Sequence, residues 1–130
     1  MTRILIVGAG PAGIRAAEAL AAAGLCPTVV DEGERAGGQI YRRPPPALAR
    51  DPRGLYGSEA AKAVALHGAF DRLAAEGRLD HRPMTSVVGL APGTAQLIGP
   101  GGAETLPWER LILATGAGDR MLPVPGWQAP

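Results

Sequence analysis

Three glycines spaced as Gly8-x-Gly10-x-x-Gly13, with a carboxylate at Asp31, are the residues of this chain best suited to hold a ligand. Gly8 permits a sharp turn out of a strand. Gly10 has no side chain, so bare backbone can lie against a pyrophosphate. Gly13 lets a helix pack closely on a sheet. Free N–H groups at the helix start meet the phosphates, and Pro11 suits the first turn, where no helix hydrogen bond is lost. Gly8, Gly10, Pro11, Ala12 and Gly13 thus form a candidate pyrophosphate cradle. Asp31 can accept hydrogen bonds from a ribose diol. Glu32 adjoins it and could compete for the ribose. Asp31 is preferred because it directly follows a strand, which leaves Glu32 solvated.

These residues need elements to position them. Ile4-Leu5-Ile6-Val7 is a continuous apolar run rich in β-branched residues, the pattern of a strand buried on both faces in a parallel sheet. A helical pattern then runs to about Ala23, with Ile14, Ala17, Leu20 and Ala21 on one face, and Gly24 stops it. Thr28-Val29-Val30 reads as a second buried strand ending at Asp31. Strand, turn, helix, strand and acid stand in the order of a dinucleotide-binding fold.

A second glycine motif, Gly37-Gly38-Gln39-Ile40-Tyr41-Arg42, follows the second strand after a short loop. With it, the chain resembles the FAD domain of the pyridine nucleotide–disulfide oxidoreductase superfamily. It is most similar in look to the FAD/NAD(P)-type subunits of opine oxidase, hydrogen cyanide synthase and D-hydroxyproline dehydrogenase. The resemblance implies a Rossmann-like α/β fold: a parallel sheet with helices and a three-stranded antiparallel meander, incomplete at the C-terminus. It implies that Gly38 and Gln39 line an FAD. The disulfide-reducing members carry a cysteine pair that is missing here, because no cysteine follows Cys26. Cys26 itself reads as a small buried residue.

Arg42-Arg43-Pro44-Pro45-Pro46 begins a stiff, extended loop with solvated arginines. A second helix is expected from Ser58, its N-cap, with Ala63, Leu66, Phe70 and Leu73 on one face and Gly77 as its stop. His67 and His81 have no second ligand nearby and read as surface or boundary residues, so no metal site is expected. Short strands follow at 84–90, 95–98 and 104–108, separated by Gly/Pro turns. By resemblance, Ser86-Val87 is where members offer backbone to adenine. Leu111-Ile112-Leu113 runs into Ala114-Thr115-Gly116, which in the superfamily ends a strand near the FAD. Residues 1–120 are therefore expected to be the FAD-binding domain, and 121–130 the start of a linker to an NAD(P) domain that lies beyond this chain.

Composition narrows the function classes. Thirteen basic and twelve acidic residues give a formal charge of +1, no footprint for nucleic acid or an anionic membrane. One cysteine allows no internal disulfide, and a reducing, cytoplasmic setting is the simpler reading. No catalytic acid, base or nucleophile is legible. The expected function is the FAD-binding portion of a flavoprotein oxidoreductase. In complete form it would oxidise an amino acid, imino acid or opine, with other subunits of a hetero-oligomeric dehydrogenase as possible partners. The alternatives are a plain NAD(P)-binding domain and a non-catalytic nucleotide-binding fragment.

Overall fold

The computed structural model describes residues 1–118 and 124–125. Strand β1 (Ile4–Val7) leads into helix α1 (Pro11–Ala22), then β2 (Thr28–Val30), a short helix α2 (Pro52–Tyr56), a long helix α3 (Ala60–Ala75), and β3 (Asp80–Arg82). An antiparallel meander follows, β4 (Ser86–Ala91), β5 (Thr94–Gly99) and β6 (Gly102–Pro107). The chain then returns to the first sheet as β7 (Arg110–Leu113).

The first sheet is parallel, in the order β3-β2-β1-β7. Its side-chain alternation explains why β1 has no polar residue. Ile6 and Val29 point to one face, where they join Ile14, Ala17 and Ala21 of α1 and Leu66, Phe70 and Leu73 of α3. Leu5 and Val30 point to the other, against Ala95 and Leu97 of the meander. Successive residues of a strand face opposite sides, so a strand covered by helices on one side and a sheet on the other must be apolar throughout. The result is a three-layer stack with β1 at its centre.

The helix α1 ends where expected. The Gly24 N–H donates to the Ala21 carbonyl and the Leu25 N–H to that of Leu20, satisfying groups left open at the last turn.

Several expectations need correction. Ser58 does not cap α3: it lies in a 3-10 turn, Gly57–Glu59, that runs straight into the helix, and no side chain caps it. The proline-rich stretch is broken by a 3-10 turn at Pro46–Leu48 and by α2. Cys26 is exposed rather than buried; it lies in the connection between α1 and β2, where Pro27 takes the buried place. Arg43 is not solvated; its side chain is 9% exposed and is held by Asp71. His67 is buried under the Tyr41 backbone. The strand β3 was hidden in sequence by its polar residues. The linker-like stretch 121–130 falls, apart from Val124 and Pro125, outside the described residues.

Candidate functional site

The carboxyl ends of β1, β2 and β7 converge on the turn between β1 and α1. The Gly8 N–H donates to the Val30 carbonyl at 2.7 Å, and the Ala114 N–H to the Val7 carbonyl at 2.8 Å. A ligand crevice outside the carboxyl ends of parallel strands is the usual place for a site in such sheets.

The glycines of the turn differ in why they must be glycine. Gly8 has φ +106°, and a Cβ there would fall on the Ala114 carbonyl. A Cβ on Gly13 would fall on the Gly8 carbonyl. Both are required by the protein's own packing. Gly10 is not: its φ is −78°, and a Cβ would meet only the Gly38 Cα, at an ordinary 3.7 Å. Nothing among the described residues forbids a side chain at the one position where the ligand reading needs bare backbone.

Gly10 also caps α1 without a side-chain hydrogen bond, and Pro11 occupies the first turn. The N–H groups of Ala12 and Gly13 are thus left without a capping side chain, as an anion site requires. Gly38 closes over the same turn; a Cβ on it would lie 2.8 Å from the Gly10 Cα. Gln39 and Ile40 beside it are exposed.

Asp31 stands at the end of β2. Its carboxylate accepts the Ala9 N–H and the Gly33 N–H, each at 2.6 Å. Each carboxylate oxygen has two lone pairs, so capacity remains for a diol. Glu32 is exposed and accepts from the Ser86 hydroxyl at 3.0 Å, which ties the acidic loop to β4. Val87 faces inward against the Leu5–Val30–Leu97 cluster. It sits on β4, an edge strand of the meander with a register shift between Val87 and Gly89. Thr115 and Gly116 are exposed just beyond β7. The turn, Asp31, Gly38 and Ala114 are therefore brought together. Val87 lies to the side, linked through Ser86 and Glu32.

Sequence reasoning missed Ala9. It is fully buried, its N–H is held by Asp31, and its carbonyl accepts the Gly37 N–H at 2.8 Å. Only backbone atoms take part, so no residue type could signal it. Behind the second glycine motif, His67 Nε2 lies 2.8 Å from the Tyr41 carbonyl. An acceptor oxygen there requires the proton on Nε2. Burial pushes the His67 pKa down, which favours that neutral ring. His81, edge-on to Phe70, is likewise pushed down by burial.

Residues 2–129 match the pyridine nucleotide-disulphide oxidoreductase family. The chain belongs to that family. As a member it shares a fold associated with FAD and NAD(P) binding. It is 39% identical to the HcnB component of hydrogen cyanide synthase from Pseudomonas protegens, over 97% of this chain and 27% of that protein. It is 35% identical to an opine oxidase component from Agrobacterium tumefaciens, over 98% of this chain and 26% of that protein. The chain thus spans about a quarter of the length of these relatives. Among solved structures, the HOCl-induced flavoprotein disulfide reductase RclA of Escherichia coli superimposes with a TM-score of 0.69. That match is 19% identical and covers 96% of this chain and 31% of RclA. Among the described residues of this family member, no helix is long and apolar enough to cross a membrane.

Asp31 carries a testable double load. Asp31→Asn keeps one acceptor oxygen, enough for the buried Ala9 N–H at the expense of the exposed Gly33 N–H, but loses the charge, and should weaken FAD binding about tenfold. Asp31→Ala should do the same and also destabilise the cofactor-free chain by about 1–3 kcal/mol, because the buried Ala9 N–H loses its acceptor. Flavin-fluorescence titration and urea unfolding read the two effects separately. Equal FAD affinity in both variants and the parent would remove Asp31 from the ribose site.

Proposed function

We propose that this chain is the FAD-binding part of a flavoprotein oxidoreductase. The observation that carries the reading is Gly10: the protein's own packing tolerates a side chain there, so the bare backbone at the start of α1 is open to serve a ligand. The pyrophosphate runs over Gly8, Gly10 and Gly13 toward the open N–H groups of Ala12 and Gly13. Pro11 keeps the first turn of α1 in shape. The ribose is held by Asp31, with Glu32 as the alternative acceptor. Gly38 and Gln39 line one side, Ala114, Thr115 and Gly116 the other, and the Val87 backbone offers itself to the adenine.

When bound, FAD supplies the two-electron chemistry; the protein binds and orients it. In its complete form the protein oxidises an amino acid, imino acid or opine, uses a further region for NAD(P), and works with partner subunits. The names of the relatives, which are subunits of hydrogen cyanide synthase and of opine oxidase, support that extension.

Titrating FAD, NAD and NADP separately, with Trp108 emission as one reporter, tests the cofactor. FAD is expected to bind tightest. Tighter binding of NADP would replace this reading with a plain NAD(P)-binding domain.

A further inference from the structure

We propose that Arg43 is a positioning residue for the dinucleotide site, acting through two peptide groups rather than by touching the ligand; this rests on the FAD reading above. The Arg43 guanidinium is almost wholly buried and uses three of its donors. Nη1 and Nη2 donate to the two carboxylate oxygens of Asp71 on α3, at 2.6 and 3.0 Å. Nε donates to the Ala36 carbonyl at 2.9 Å.

The Ala36 carbonyl and the Gly37 N–H belong to one planar peptide group. Arg43 holds its oxygen end. Its N–H end donates to the Ala9 carbonyl at 2.8 Å. That carbonyl in turn shares a planar group with the Gly10 N–H, and in a trans peptide the two point opposite ways. The direction of the Gly10 N–H is therefore set by the Gly37 N–H, and that by Arg43. Among the described residues the Gly10 N–H has no protein acceptor; it is left free for a phosphate.

The anchor at the far end is sound. Partial burial pushes the Asp71 carboxyl up, but the hydrogen bond and charge of Arg43 outweigh it and hold the group below its usual range. Three further contacts fasten the same loop to the helical side: His67 Nε2 on the Tyr41 carbonyl, the Tyr41 hydroxyl on Glu59 at 2.9 Å, and the Tyr56 hydroxyl on the Arg42 carbonyl at 2.8 Å. They hold residues 41 and 42; among the described residues, Arg43 is the side chain that hydrogen-bonds the 36–37 peptide, at its oxygen end. A lysine has a single ammonium in place of the planar fork, so it does not reproduce the paired bonds to Asp71 together with the Nε bond to Ala36.

The test compares the parent 130-residue chain with Arg43→Gln, Arg43→Lys and Asp71→Asn. Three quantities are read: FAD affinity, the cofactor-free melting temperature, and amide hydrogen exchange at Gly37 and at Ile6 in β1. Arg43→Gln and Arg43→Lys should each weaken FAD binding about tenfold, and Asp71→Asn about threefold. The Gly37 amide should exchange at least tenfold faster in the arginine variants, with Ile6 unchanged. Unchanged FAD affinity in Arg43→Gln, full rescue by Arg43→Lys, or equal acceleration at Ile6 would overturn the proposal. Should the arginine variants fail to fold, Asp71→Asn decides. Parent-like affinity and Gly37 exchange in that variant would sink the idea. A parent chain that binds no FAD would remove the functional reading, and this role with it; a parent that binds with indifferent variants would remove this role alone.

Discussion

Gly10→Ala is expected to weaken FAD binding by roughly 100-fold while leaving the cofactor-free melting temperature unchanged or slightly raised. The backbone at position 10 is extended, with φ −78° and ψ −175°, a conformation that alanine adopts freely. The added Cβ makes one ordinary contact, with the Gly38 Cα. Replacing glycine at such a site also lowers the entropy of the unfolded chain, worth about 0.4–1 kcal/mol in favour of folding. The methyl group would nonetheless stand between the backbone and a pyrophosphate. Flavin-fluorescence titration alongside a melting curve makes the comparison. Retained affinity would mean that the turn at Gly10 is structural only and would remove the main support for a dinucleotide site.

Gly13→Ala should have the opposite character. By helix propensity alone, alanine in the first turn of α1 would stabilise the helix by at most about 1 kcal/mol, the figure for a helix interior. The Cβ, however, would fall on the Gly8 carbonyl, a backbone atom already fixed beside Ala114. Either α1 must lift from the sheet or the turn must shift. That cost is about 3 kcal/mol or more and outweighs propensity. The melting temperature of the chain should fall by about 10 °C or more. A stabilised Gly13→Ala chain would show that α1 and β1 lie further apart than described.

The contrast between these two glycines marks the limit of the sequence. Spacing alone identified both, together with β1, α1, β2 and Asp31, because that unit is local and each residue type answers to a single geometric demand. Spacing could not say which glycine the packing requires and which it leaves free to change; that needs the atoms around each. The strand β3 was missed for a different reason. His81 tucks beneath Phe70, while Asp80 and Arg82 on its other face pair with each other at 2.8 Å and Arg82 reaches Glu104. A charged pair satisfied within the strand carries no apolar alternation to detect. Arg43 looked solvated because its partner, Asp71, is 28 residues away on a helix whose face could be read but whose docking could not. The apolar residues of α3 were identified, yet nothing in their spacing shows that Asp71 and His67 turn toward the second glycine motif.

The position of β7 has a consequence for the order of folding. Strand β1 is paired with β2, about twenty residues on, and with β7, whose residues pair with it across more than a hundred positions. The glycine-rich turn is thus encoded beside β1 and β2, whereas the Ala114 carbonyl packed against Gly8 follows β7, about a hundred residues later in the chain. Contacts between residues far apart in sequence form slowly, because a long loop must be closed first. A nascent chain that has not yet delivered β7 leaves one edge of β1 unpaired and apolar, the condition that invites association with other chains. The glycine-rich turn therefore reaches its packed form only after synthesis of the meander and β7, not on its own emergence.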